Sequence, residues 1–195
     1  MARDVAVVFG RAPRLGTVKR RLAAEIGDRA ALRFHAITMH RLLRMLAADR
    51  RFDTVLAVTP DRAWLRLPRR VRRISQGSGD LGRRMHRVFR GFPHSRVAII
   101  GCDIPEASAN DLVAAFRALG RAEAVFGPAA DGGYWLVALL PRRPARPFAN
   151  VRWSTCHALA DTLANFADRR VILLRSLHDV DTGADWRRVR GTCPS

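Results

Sequence analysis

One lysine stands among the 35 basic residues of this chain: Lys19, in the stretch VVFGRAPRLGTVKRRL from Val7 to Leu22. Arginine meets every other need for positive charge, so a single compact ammonium here suggests a contact that a forked guanidinium makes poorly. Codon bias is the plain alternative. Gly10 and Gly16 lighten the backbone of the loop, and Arg11 and Arg14 add donors, so the ingredients suit phosphate at a helix entrance. The spacing predicts a helix from about Thr17 with Lys19 in its first turn. The loop is neither a Walker A motif nor a dinucleotide GxGxxG, because its glycines lead into Thr-Val-Lys.

The acids with chemical potential are Asp103, directly after the hydrophobic run Val97 to Ile100, and the pair Asp179 and Asp181. A carboxylate at the end of a buried strand is costly unless it is hydrated, paired or bound to a cation. In extended chain, residues 179 and 181 project to the same side. Together the three make an oxygen-rich set suited to Mg²⁺ or Mn²⁺ bridging phosphate oxygens. Taken singly, each could equally be a helix cap. No Ser/His/Asp or Cys/His arrangement is evident. Cys102, Cys156 and Cys193 are too far apart in sequence to suggest a metal-ligand pair or a disulfide framework. His35, His40, His86, His94 and His157 read as helical or loop-exposed, leaving His178, beside Asp179, as the histidine of interest.

These groups need a scaffold that gathers distant strand ends. Asp4 to Gly10 reads as a buried parallel-type strand, continuous and β-branched. A helix broken at Gly27 and resuming over Ala30 to Ala48 follows, then strands at Phe52 to Thr59 and around Val71 to Ser75. Gln76 to Gly79 is a Gly-rich loop, or simply a turn, entering a helix with Leu81, Met85, Val88 and Phe89 on its apolar face. Arg96 to Gly101 is a strand, Asn110 to Leu119 a helix, and Ala124 to Gly127 with Tyr134 to Leu140 two strands joined by PAADGG. Asp131 to Gly133 also fits a hairpin turn. Ser154 or Thr155 would cap a helix running to about Ala167, Arg170 to Leu177 is a last strand, and Thr182 with Asp185 has capping-box spacing before a terminal helix. Alternating strands and helices predict a mainly parallel sheet covered on both faces, in one domain over residues 1–195. Ligands of such sheets gather beyond the carboxyl ends of the strands, where the four unusual loops fall.

The net charge is +18, which points to polyanionic partners, yet the arginines are spread along the chain and no nucleic-acid-binding signature accompanies them. A solvated arginine-rich surface is the expectation, with nucleotide phosphate rather than nucleic acid as the anion. The early apolar run Val5 to Phe9 is far too short for a signal core or a membrane span, so a cytoplasmic location away from membranes is expected.

FGRAPRLGTVKRRL, QGSGDLGRRM, GCDIP, GPAADGGYWLVAL, WST and DVDTGAD, in this order, resemble a small bacterial transferase family with a glycosyltransferase-A-like (GT-A-like) fold. That family is related to 2-phospholactate guanylyltransferase and, more distantly, to molybdenum-cofactor guanylyltransferase. The resemblance runs from Val7 to about Trp186. It implies a Rossmann-like three-layer α/β/α nucleotide-diphospho-sugar transferase fold, with Lys19 and the Gly10 to Gly16 loop on the nucleotide's phosphates and Asp103, Asp179 and Asp181 on the metal. It further implies base reading by the QGSGDLG region, Gln76 and Gly82 in particular. Asp131, Gly132, Gly133, Tyr134, Ser154 and Thr155 would line the acceptor side. The first expectation for the reaction is metal-dependent nucleotidyl transfer from a nucleoside triphosphate to a small (phosphorylated) acceptor with release of pyrophosphate, with Lys19 and Asp103 as the catalytic residues. The alternatives are glycosyl transfer from a nucleotide-sugar and, more remotely, a non-catalytic basic nucleotide- or nucleic-acid-binding module. A single Asp in GCDIP favours the first, since sugar-transferring relatives more often carry Asp-x-Asp there. The chain departs from the family pattern at Arg20, where threonine is more usual, and at Cys102, where a small hydroxyl residue is usual. A thiol there would lie beside the metal and could tune or poison it.

Overall fold

The computed structural model describes residues 2–191, so Cys193 lies outside the described residues. The elements in chain order are β1 (Val5–Arg11), α1 (Arg20–Ile26), α2 (Asp28–Ala48), β2 (Asp53–Thr59), β3 (Val71–Ser75), α3 (Leu81–Arg90) and β4 (Val97–Gly101). They continue with α4 (Ala109–Ala118), β5 (Ala124–Pro128), β6 (Tyr134–Leu139), α5 (Ala158–Ala164), β7 (Val171–Leu173) and α6 (Gly183–Gly191). The strands form one seven-stranded sheet in the order β3-β2-β1-β4-β6-β5-β7. Only β6 runs against its neighbours β4 and β5; the other pairings are parallel.

The continuous apolar strands are explained by burial on both sides. In β1, Ala6 and Val8 face one core with Met39, Leu42, Leu43 and Leu46 of α2 and Leu112, Ala115 and Phe116 of α4. Val5 and Val7 face the other, with Met85, Val88 and Phe89 of α3 and Phe166 beyond α5. Helices therefore cover both faces, the predicted three-layer arrangement. Each fully buried Leu or Phe of these layers contributes about 1.5–3 kcal/mol of transfer free energy. A third cluster of Leu22, Ala31 and Val180 fastens α1 and the segment before α6 to α2.

Three boundaries differ from expectation. Lys19 is not in the first helical turn; it is the residue before α1, in a left-handed conformation with φ 50°. The helix after the WST stretch is shorter than expected and begins at Ala158, preceded by His157, which makes no side-chain cap. Ser154, at φ 62°, lies four residues before Ala158 and does not cap it. The Thr155 hydroxyl instead donates to the Arg152 carbonyl and accepts from the His157 amide. The last strand keeps only Val171–Leu173 in the sheet. Beyond it the chain leaves the ladder and touches it again at the isolated Ala129–Leu177 bridge.

Because the parallel strands point one way, the loops after β1, β4 and β7 emerge at one edge of the sheet. The β5–β6 hairpin, Asp131 to Gly133 included, turns at the same edge. Among the described residues no helix is long and apolar enough to cross a membrane.

Candidate active site

At that edge Lys19 Nζ donates to Asp103 Oδ2 and to Asp181 Oδ1, each at 2.6 Å. The lysine side chain is 6% exposed and the two carboxylates 31% and 44%. Burial alone would lower the lysine pKa, but the two carboxylates outweigh it and hold the ammonium charged well above its usual range. Burial likewise works to raise the Asp103 pKa, and Lys19 reverses this, leaving the carboxyl below its ordinary value. Asp179 lacks such a partner. Burial, then the charges of Asp181, Asp103 and Asp131, push it up to about 6.

The sequence explains how the acids converge. Val180 is fully buried in the α1/α2 cluster, so the extended chain turns the flanking Asp179 and Asp181 outward. The Val180 amide reaches the Asp103 carbonyl at 3.4 Å. Thr182 and Asp185 make the expected capping pair: the Asp185 carboxylate accepts from the Thr182 amide at 3.0 Å, and the Thr182 hydroxyl accepts from the Asp185 amide at 3.3 Å. One ligand oxygen from each of Asp103, Asp179 and Asp181 lies within 4.8 Å of the others. Hard oxygen donors at this spacing, with surplus negative charge on Asp179, fit a Mg²⁺ or Mn²⁺ ion.

Two clefts meet at this cluster. The first, of about 560 Å³, is lined by Gly10, Arg11, Thr17, Lys19, Arg20, Arg21, His35 and Asp181, and is strongly basic. The second, of about 290 Å³, contains Asp131, Gly133, Tyr134, Thr155 and Asp179 with a floor of Phe9, Met85, Trp135 and Trp153. Phe9, Asp103 and Ser154 belong to both.

Most expected residues thus come together, with exceptions. Gln76 does not face either cleft: it is 1% exposed. Its amide donates to the Gly10 and Ala57 carbonyls at 2.8 Å and accepts from Arg84 at 2.9 Å. Its side chain ties the ends of β1 and β2 to α3, with both amide N–H donors committed to backbone carbonyls. Gly82 is buried against Phe148 and Trp153, where an added Cβ would lie 2.8 Å from Phe148 Cβ and from Trp153 Cζ2. It allows α3 to pack closely rather than touching a ligand. Arg14, Gly16 and Gly132 lie on the loops outside the cleft walls; Gly132 supports the acceptor side from behind, its carbonyl accepting from Leu159 at 3.0 Å.

Cys102 is buried with its thiol pushed up to about 12 by burial, so it stays protonated; it fills the space left by Gly10, whose hypothetical Cβ would lie 2.5 Å from Sγ. It packs, and offers no thiolate to a metal. His35 lies within α2, in keeping with the helical reading, and is buried, with Nε2 at 2.9 Å from the Arg11 carbonyl; burial lowers its pKa. It braces the end of β1. His178 is exposed and outside both linings. Sequence reasoning also missed Arg20 and Arg21, although their adjacency to Lys19 was a usable signal. The aromatic floor, assembled from four separate segments, gave none.

The sheet order, its single reversed strand and an acidic cluster at the carboxyl edge define a nucleotide-diphospho-sugar transferase fold. Within that class the chain belongs to the family described as "Uncharacterized protein conserved in bacteria (DUF2064)", which matches residues 42–155. No curated protein matches the chain in sequence. Among solved structures, it is similar to a proposed nucleotide-diphospho-sugar transferase from Desulfovibrio desulfuricans G20, with 26% identity and a TM-score of 0.86 over 96% of this chain and 87% of the other. The 4-diphosphocytidyl-2C-methyl-D-erythritol synthase of Anaerococcus prevotii DSM 20548 shares the fold at 12% identity, TM-score 0.60, covering 97% of each chain. So does the manganese complex of Rv0371c from Mycobacterium tuberculosis H37Rv, at 19% identity and TM-score 0.54 over 97% of this chain and 100% of that one.

Proposed function

We propose that residues 1–195 act as one catalytic domain, a metal-dependent nucleotide transferase that moves a nucleotidyl group from a nucleoside triphosphate to an acceptor hydroxyl. The observation that carries this reading is the position of Lys19, Asp103, Asp179 and Asp181 at the seam between a basic cleft and an acceptor-sized one. An ammonium has three donors, and two are committed to Asp103 and Asp181, so one remains for a phosphate oxygen. With its pKa raised, Lys19 has no role as a base; it serves as a fixed positive charge. Arg11, Arg20 and Arg21 hold the triphosphate along the basic cleft, and Arg14 and the left-handed Gly16 lie on the loop that adjoins it.

Asp103, Asp179 and Asp181 would hold the Mg²⁺ or Mn²⁺ ion, which supplies charge neutralisation on the phosphates. The acceptor hydroxyl, placed between the Asp131–Tyr134 turn and Ser154–Thr155, attacks the α-phosphorus. A phosphorus–oxygen bond forms to the acceptor, the bond to the bridging oxygen breaks, pyrophosphate leaves, and the hydroxyl proton passes to solvent.

Glycosyl transfer from a nucleotide-sugar is the second reading, favoured by the 26% identity to the Desulfovibrio protein. The lone aspartate of GCDIP favours the first. Product analysis separates them: metal-dependent pyrophosphate release from a triphosphate supports nucleotidyl transfer, and nucleoside diphosphate release from a nucleotide-sugar replaces it with glycosyl transfer. Neither release, across all common bases and sugars, would overturn both.

A further inference from the structure

The chain carries 35 Lys and Arg residues, yet no Lys, Arg or His is among the residues lining the acceptor cleft. Its charged groups are three carboxylates, Asp103, Asp131 and Asp179, and its walls include Phe9, Met85 and Trp153. Its basic neighbour, separated from it only by Phe9, Asp103 and Ser154, contains Arg11, Lys19, Arg20 and Arg21. Positive charge thus stops at the seam.

A phosphorylated or carboxylated acceptor requires cations or a row of free donors to replace its hydration; Asp103 and Asp179 would share the metal ion's charge, but Asp131 adds a like charge and no basic side chain lines the cleft to offset it. The carboxylate of Asp131 is already turned toward the Gly133 amide at 2.8 Å, which leaves it as a further acceptor of hydrogen bonds. Tyr134 and Trp153 meet edge to face with ring centroids 6.4 Å apart and form a rigid apolar wall. The cleft therefore offers apolar surface on one side and hydrogen-bond acceptors on the other. This is the complement of an uncharged molecule with hydroxyl donors and an apolar face.

Building on the transferase reading above, we infer that the acceptor is a phosphate-free, uncharged hydroxyl compound, contrary to the phosphorylated acceptor expected from the sequence. The division of labour is then simple: the basic cleft holds all the phosphate in the reaction, and the apolar cleft holds none.

Saturation-transfer NMR on the full chain tests this without turnover. Matched probes are glycerol with glycerol 3-phosphate, erythritol with erythritol 4-phosphate, and benzyl alcohol with benzyl phosphate. Excess inorganic pyrophosphate occupies the basic cleft throughout. The expected result is signal from the phosphate-free members, lost in Trp153→Ala, and none from their phosphorylated partners. Thr155→Arg, on the exposed rim, should let phosphorylated members in with an affinity gain of about tenfold, the size expected for one charge-assisted hydrogen bond. Phosphorylated probes that bind the wild type as well as their partners, with a signal lost in Trp153→Ala, would overturn the inference, as would binding by no probe. A failed transfer assay would leave this result readable, because it measures binding alone; conversely, selective binding of phosphates here would leave nucleotidyl transfer standing.

Discussion

The two clefts at the carboxyl edge of the sheet are built by opposite means. The basic one takes its cations from a continuous stretch, the loop after β1 and the entrance to α1, with left-handed backbone at Gly16 and Lys19, and is closed by His35, Asp103, Ser154 and Asp181. The other is assembled from pieces of α3, β4, the β5–β6 hairpin and the segment before α5, packed around aromatic rings. A charged cleft can tolerate mobile, solvated arginines, since its ligand is bound by long-range attraction. An apolar cleft needs fixed walls, since its selectivity comes from shape and excluded water. Asp103 is the charged residue common to both.

The largest effect should therefore follow from Asp103→Asn. It keeps the side-chain volume, removes a charge from both clefts, and should lower kcat by about 10²–10³-fold, the cost of losing one preorganised electrostatic contact. Thermal melts should show a folded protein, because Lys19 retains Asp181. A variant with near-normal kcat would detach the seam from the chemistry. Lys19→Arg sharpens the same point, since a forked guanidinium cannot reproduce a buried ammonium shared by two carboxylates.

Rigidity of the apolar cleft is tested behind its wall. Gly132 has φ 85°, and a Cβ there would lie 2.2 Å from the Cys156 carbonyl oxygen. Backbone faces backbone, so nothing flexible can give way. Gly132→Ala should destabilise the fold by about 2–4 kcal/mol, seen as a lower urea midpoint. An unchanged midpoint would mean that the hairpin is not the fixed wall described.

A smaller effect, with a sign set by pH, belongs to Asp179. Its folded pKa of about 6 lies above the ordinary carboxylate value. Between roughly pH 4 and 6 the folded protein binds the extra proton, so stability rises as pH falls through this window. Above it, ionised Asp179 is a standing penalty on the order of 2 kcal/mol. Asp179→Asn should then raise Tm at pH 7.5 and leave it unchanged near pH 4. Mn²⁺ affinity of the wild type, followed by electron paramagnetic resonance, should weaken as pH falls below 6, because ion and proton compete. Stabilisation by Asp179→Asn at pH 4 as large as at pH 7.5 would remove the repulsive acid cluster as its cause.

These contrasts also explain what could be read from the sequence. The strands were legible because a sheet buried on both faces leaves uninterrupted apolar runs, as in Val5–Phe9 and Val97–Ile100. Asp103, Asp179 and Asp181 were legible because polar groups follow such runs at the strand ends. The contacts were not legible, since Lys19 lies 84 residues from Asp103 and 162 from Asp181, and spacing carries no record of that pairing. Gln76 and His35 show the same limit. Their types permit a ligand role, but burial puts Gln76 on the carbonyls at the ends of β1 and β2 and His35 on the last carbonyl of β1. Cys102 is fixed by the absent side chain of Gly10, a relation between residues 92 positions apart that no local pattern expresses.

The smallest expected effect closes the comparison from the basic side. Gly16 has φ 71°, as unusual for an alanine as the backbone of Gly132, yet a Cβ at Gly16 meets nothing within 4 Å. Only the conformational strain remains, about 1 kcal/mol. Gly16→Ala should lower the urea midpoint slightly and raise KM for the nucleotide a few-fold by shifting the loop, with kcat nearly unchanged, since Lys19 and Asp103 keep their contact. Two alanines at left-handed glycines should thus separate by the atoms they meet: one damages the folded wall, the other only loosens a phosphate loop. Equal losses of stability in both variants would show that the basic cleft is as tightly built as the apolar one, and the contrast between them would fail.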